Sequence, residues 1–96
     1  MTATKPLFPL GRVLITAAAD AALAARGQSA IVQTVLSRHR LGDWGDLCEE
    51  DRLANDDAVQ TGERLLSAYR FPDGFRLWVI TEADRSYTTV LLPDDY

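Results

Sequence analysis

The chain has 96 residues, 47% of them hydrophobic and 25% charged, with a formal net charge of −4. A chain this short makes one domain, 1–96, since two smaller units would each bury too little apolar surface. No apolar run approaches the ~18 residues of a membrane span, and the single cysteine, Cys48, excludes an internal disulfide and a cysteine metal cluster. The negative charge argues against direct binding to nucleic acid and favours a protein partner with a basic surface.

Residues 1–10 read as an irregular lead-in, because Pro6 and Pro9 disfavour both helix and central strand. One lysine with no apolar stretch after it gives no signal peptide, so a cytoplasmic location is expected. Residues 11–16 (GRVLIT) are β-rich and read as a strand. Thr16 then suits the N-cap of an alanine-rich helix, 17–26, stopped at Gly27. Ser29 suits the cap of a second helix, 30–40, in which Ile31, Val35 and His39 recur at i, i+4 and i+8. A third helix is expected to open at Asp46 with Glu49 completing a capping box. It runs through Leu53, Ala54, Ala58 and Val59 to Gly62.

From Glu63 the period becomes extended. Strands are expected at 64–71, 75–81 and 87–92. Pro72-Asp73-Gly74 supplies a three-residue hairpin turn that pairs Phe71 with Phe75, Arg70 with Arg76 and Ala68 with Trp78. This register puts Leu66, Ala68, Trp78, Ile80 and Val90 on one face of the sheet. Leu65, Tyr69, Leu77, Val79 and Leu91 fall on the other. The expected architecture is α+β: an N-terminal strand and three helices, then a three-stranded antiparallel meander packed on the helices. Both faces are apolar, so one is left for the lead-in, a partner or a second copy, which admits a homodimer.

Candidate chemistry is sparse. His39, Asp43 and Asp46 suit a general acid/base or a divalent metal site, the basis of an alternative reading as a small hydrolase or metal-dependent enzyme. The plainer reading ends a helix with His39 packed on Trp44. No recognised catalytic motif occurs, so no catalytic residue, metal or cofactor is expected. Cys48 near a helix start invites pairing with His39, but the acids around it oppose a thiolate. From Asp43 to Asp57, seven carboxylates (Asp43, Asp46, Glu49, Glu50, Asp51, Asp56, Asp57) face one cation, Arg52. Such a run is either a solvated helix face or a surface that steers a cationic partner. The expected partner-binding set is Asp43, Trp44, Asp46, Glu49, Glu50, Asp56 and Asp57, with Glu82, Asp84 and Arg85 from the polar loop 82–86.

Several stretches carry a resemblance: FPLGR at 8–12, Arg38-His39 followed by GDWGD at 42–46, Asn55, LSAY at 66–69, and LWVITEADRS at 77–86. It continues in Thr88-Thr89 and LLP at 91–93. Across almost its whole length the chain resembles a small family of bacterial proteins carried on plasmids, prophages and other mobile regions. Its members bear labels such as "plasmid related protein" or a restriction-subunit name. The resemblance implies a mobile-element protein and brings no catalytic residues with it. Joined to small size and acidity, it suggests a non-catalytic binding protein. The sharpest form is an anti-defence inhibitor, anti-CRISPR or anti-restriction, of a host complex that targets nucleic acid. A third expectation, from the two apolar sheet faces, is an oligomeric structural or regulatory module.

Overall fold

A computed structural model describes residues 5–96; the first four residues of the expected lead-in lie outside it. The elements in chain order are β1 (Arg12–Ile15), α1 (Ala17–Ala25), α2 (Ile31–Arg40), α3 (Glu49–Thr61), β2 (Leu65–Arg70), β3 (Arg76–Thr81) and β4 (Tyr87–Leu91). A 3-10 turn at Pro93–Asp95 follows. The α+β class holds. The sheet has four strands in the order β1-β4-β3-β2, and β1 joins it parallel to β4, so it is mixed rather than a three-stranded meander. No helix among the described residues is long and apolar enough to cross a membrane.

The hairpin forms in the expected register, with Ala68 opposite Trp78, Arg70 opposite Arg76, and Phe71 N–H bonded to Phe75 O at 2.9 Å. The next pairing differs by one residue. Trp78 faces Leu91 and Val79 faces Val90, which exchanges the faces expected for Val90 and Leu91. The cause is the connecting loop. Arg85 takes a left-handed backbone (φ 61°), and Glu82 N–H bonds Tyr87 O at 3.1 Å, which closes a tighter turn than an open loop would give. Side chains alternate along a strand, so this one step sends Thr88 and Val90 inward and Leu91 outward.

The inner face therefore carries Leu65, Ser67, Tyr69, Leu77, Val79, Thr81, Thr88 and Val90, all buried. Ala19 and Leu23 of α1 and Val35 and Leu36 of α2 pack on Tyr69, Leu77, Val79 and Val90. Phe8, Trp44 and Ala58 of α3 close over Leu65. On the outer face Trp78 meets Tyr96, with ring centroids 5.7 Å apart.

The helix ends show two departures. Thr16 caps α1 as expected, its hydroxyl accepting from Ala19 N–H at 3.1 Å. Ala30, not Ser29, is the N-cap of α2, with no side-chain bond. α3 begins two residues later than expected, at Glu49, with Cys48 rather than Asp46 in the N-cap position. Asp46 cannot cap it because its backbone is engaged elsewhere: Asp46 N–H bonds Ala68 O at 2.6 Å and Trp44 O accepts from Ala68 N–H at 3.1 Å. These two bonds make Gly45 a parallel bridge to Ala68. A Cβ on Gly45 (φ 77°) would run into the Ala68 carbonyl, so this approach requires glycine.

Candidate functional site

His39, Asp43 and Asp46 do not converge. His39 is fully buried. Its Nδ1 lies 2.5 Å from Ser67 Oγ and its Nε2 2.9 Å from Thr81 Oγ1. Thr81 Oγ1 is 2.7 Å from Thr88 Oγ1, and Thr88 donates to Leu10 O at 2.7 Å. The last bond orders the rest. Thr88 gives its proton to the carbonyl, so it accepts from Thr81, which in turn accepts from Nε2–H. That leaves Nδ1 as acceptor for Ser67. The chain is complete only with a neutral imidazole. Burial, with a smaller contribution from Arg85, accordingly lowers the His39 pKa from 6.5 to about 3.

Around this imidazole sits an aromatic cluster. Phe8 meets His39 edge-on at 5.2 Å, Trp44 meets it edge-on at 5.7 Å, and Phe8 and Trp44 stack at 6.1 Å. Trp44 is a buried plug whose Nε1 donates to Asp56 at 2.9 Å. Asp43 forms a fork with Arg38, with Nε to Oδ2 at 2.6 Å and Nη2 to Oδ1 at 3.2 Å, and it also accepts from Gly45 N–H. The Arg38 hydrogen bond holds the Asp43 carboxyl below its usual range. Arg38 also lies over Tyr69, whose hydroxyl donates to Asp43 O at 2.7 Å and whose pKa burial pushes up to about 12. Cys48 is exposed at the start of α3. His39 cannot serve it as a base, since both ring nitrogens are occupied. Among the described residues no three His, Cys, Asp or Glu side chains gather as a metal ion would need.

The 82–86 loop has a structural task. Arg85 donates to Glu63 O at 2.6 Å, Ala58 O at 2.9 Å and Glu82 O at 3.2 Å, closing the C-terminal end of α3 against the sheet. Glu82 approaches Arg64 at 3.6 Å. Asp84 accepts from Ser86 N–H, and hydrogen bonds from Ser86 lower its pKa at an exposed position. Of the three loop residues expected at a contact surface, Asp84 is the one turned wholly to solvent.

Of the remaining expected residues, Asp46 is exposed in the 44–46 turn before α3, and the other four share one helix face. Glu49, Glu50, Asp56 and Asp57 stand at i, i+1, i+7 and i+8 of α3, all exposed, and none belongs to an ion pair formed among the described residues. Leu53, at i+4, lies in the middle of them and is 57% exposed. The expected third helix runs through Leu53, Ala54, Ala58 and Val59 with no face assigned to them. The signal that separates them is the helical period itself, which groups Leu53 with the four acids and Asn55 with Ala58. Asp51 is exposed but falls outside this face. No protein-family model matches the chain, and no curated protein or solved structure matches it either.

Proposed function

We propose that this is a non-catalytic binding protein whose outward face of α3 docks on a basic surface of a protein partner. The observation that carries the reading is Leu53, a large exposed apolar side chain ringed by Glu49, Glu50, Asp56 and Asp57. An apolar anchor inside a charged rim is the anatomy of an interface centre. A one-signed rim adds a fast, salt-sensitive association with a cationic partner. In its sharpest form the protein is a mobile-element inhibitor of a host CRISPR or restriction complex, acting in the cytoplasm by covering a surface meant for nucleic-acid phosphates. Mobile-element origin rests on the sequence resemblance, and the acidic surface supports the inhibitor form.

The test is affinity capture of the tagged protein from its host, repeated with two variants. One is Glu49→Lys, Glu50→Lys and Asp57→Lys combined, which spares Asp56 because that carboxylate holds the Trp44 indole. The other is Leu53→Asp. Stoichiometric recovery of a nucleic-acid-targeting complex, lost in both variants, is the expected result. Recovery that is unchanged in both sinks the α3 surface.

A further inference from the structure

The two edges of the sheet are built differently. At the β2 edge, the outward N–H and C=O of Leu66 are both bonded by the Asn55 side chain, at 3.3 and 2.6 Å. Those of Ala68 are bonded by Trp44 O and Asp46 N–H. The β1 edge has no such cover among the described residues. Arg12 N–H bonds Ser86 O and Thr16 N–H bonds Val90 O, so in the parallel ladder it is Arg12, Leu14 and Thr16 that face β4. Val13 and Ile15 turn their backbone N–H and C=O away from the sheet. The side chains are bare as well, with Val13, Leu14 and Ile15 exposed by 45%, 42% and 37%. No proline or lysine interrupts this strand, although such devices are how an edge is ordinarily protected.

We propose that β1 pairs antiparallel with β1 of a second copy, joining two four-stranded sheets into one of eight. The outward groups choose the register. Setting Val13 against Ile15 of the second copy, and Ile15 against Val13, satisfies both outward residues of both strands with about four backbone hydrogen bonds. Pairing Val13 with Val13, or Ile15 with Ile15, leaves one of the two unpaired. The chosen register puts Leu14 opposite Leu14 on the two-fold axis and Arg12 opposite Thr16 of the second copy.

Charge then supports a second copy over a foreign strand. Arg12 is exposed and belongs to no ion pair among the described residues. Thr16 donates to Asp95 at 2.7 Å, so the register brings each Arg12 beside an exposed Asp95 of the other copy, twice over. One chain thus supplies both halves of the match, Arg12 from β1 and Asp95 from the C-terminal 3-10 turn. This pairing is independent of the function proposed for α3, which lies on another element.

Sedimentation equilibrium of the full chain from about 1 µM to about 1 mM tests it, with amide exchange by NMR on the same samples. The expected result is a reversible monomer–dimer equilibrium in the micromolar range, since so short a contact sits at the low end of interface size. Protection of Val13 and Ile15 amides should rise with the dimer, whereas those of Leu14 and Thr16 are protected throughout. Val13→Pro removes an outward N–H without touching the β4 ladder and should leave a folded monomer. Arg12→Glu should weaken pairing at least tenfold, and an equimolar mixture of Arg12→Glu and Asp95→Lys chains should restore it as a heterodimer. A monomer across the whole range overturns the proposal. So does a dimer of unchanged affinity in Val13→Pro or Arg12→Glu, or a β1 edge that takes up only a foreign peptide.

Discussion

The two edges of this sheet carry the same kind of backbone and meet opposite fates. The β2 edge is closed at Leu66 and Ala68 by an asparagine side chain and by a glycine-bearing segment, while among the described residues the β1 edge stands open with three apolar side chains showing. The closed edge draws its cover from segments distant in the chain, Asn55 of α3 and the 44–46 turn. Edge protection is therefore available to this fold and is applied selectively, so the open edge reads as a feature with a use.

The sharpest way to break the contrast is Gly45→Ala. The new Cβ meets the Ala68 carbonyl at a left-handed backbone position, and the combined strain and clash should cost about 3–5 kcal/mol in urea denaturation. Asn55→Leu keeps the volume but strands the outward N–H and C=O of Leu66. A loss of about 2–4 kcal/mol is expected from two unsatisfied groups. Acid touches neither edge and gives a baseline. Burial holds His39 neutral with its pKa at about 3, so below pH 6.5 the unfolded chain takes up a proton that the folded chain refuses. The His39 contribution is thus fully present above pH 6.5. It is lost at about 1.4 kcal/mol per pH unit from there down to about pH 3. Comparison of wild type with His39→Gln by denaturation at successive pH values should remove that slope. Smaller still, the triple lysine variant on α3, which reverses two acids in the helix's first turn, should cost about 1–2 kcal/mol, and Val13→Pro on the open edge less than about 1 kcal/mol. A large loss from either would erase the distinction between surfaces that hold the fold and surfaces left for a partner.

What could be read from sequence follows the range of the interactions. The β2–β3 hairpin was legible residue by residue because Pro72-Asp73-Gly74 sets its geometry locally. The β3–β4 register was not, because Arg85 adopts its left-handed backbone while its guanidinium reaches the carbonyls of Ala58 and Glu63, on and just past α3. Parallel pairing of β1 with β4 joins residues more than seventy positions apart and leaves no local mark. The start of α3 was misplaced because Asp46, a good cap in isolation, is taken by Ala68. For the site, the four α3 acids were legible as a charge run. Leu53 carries no charge and leaves no mark in such a run. His39 was visible as the end of an apolar stripe, but Ser67, Thr81 and Thr88, which complete its bonding, come from three different strands.

Closure of the β2 edge has a further consequence for assembly. A sheet with two open edges has a valence of two and can add neighbours without limit, as ribbons and fibrils do. With Leu66 and Ala68 already bonded, β2 offers an incoming strand the outward groups of Arg70 alone among the described residues, so the sheet has an effective valence of one. In the proposed pairing, addition across the two-fold axis consumes the open edge of both molecules at once, so growth terminates at the pair. Asn55 and Gly45 thereby act as chain terminators for a strand sequence that, left on a sheet open at both sides, would propagate.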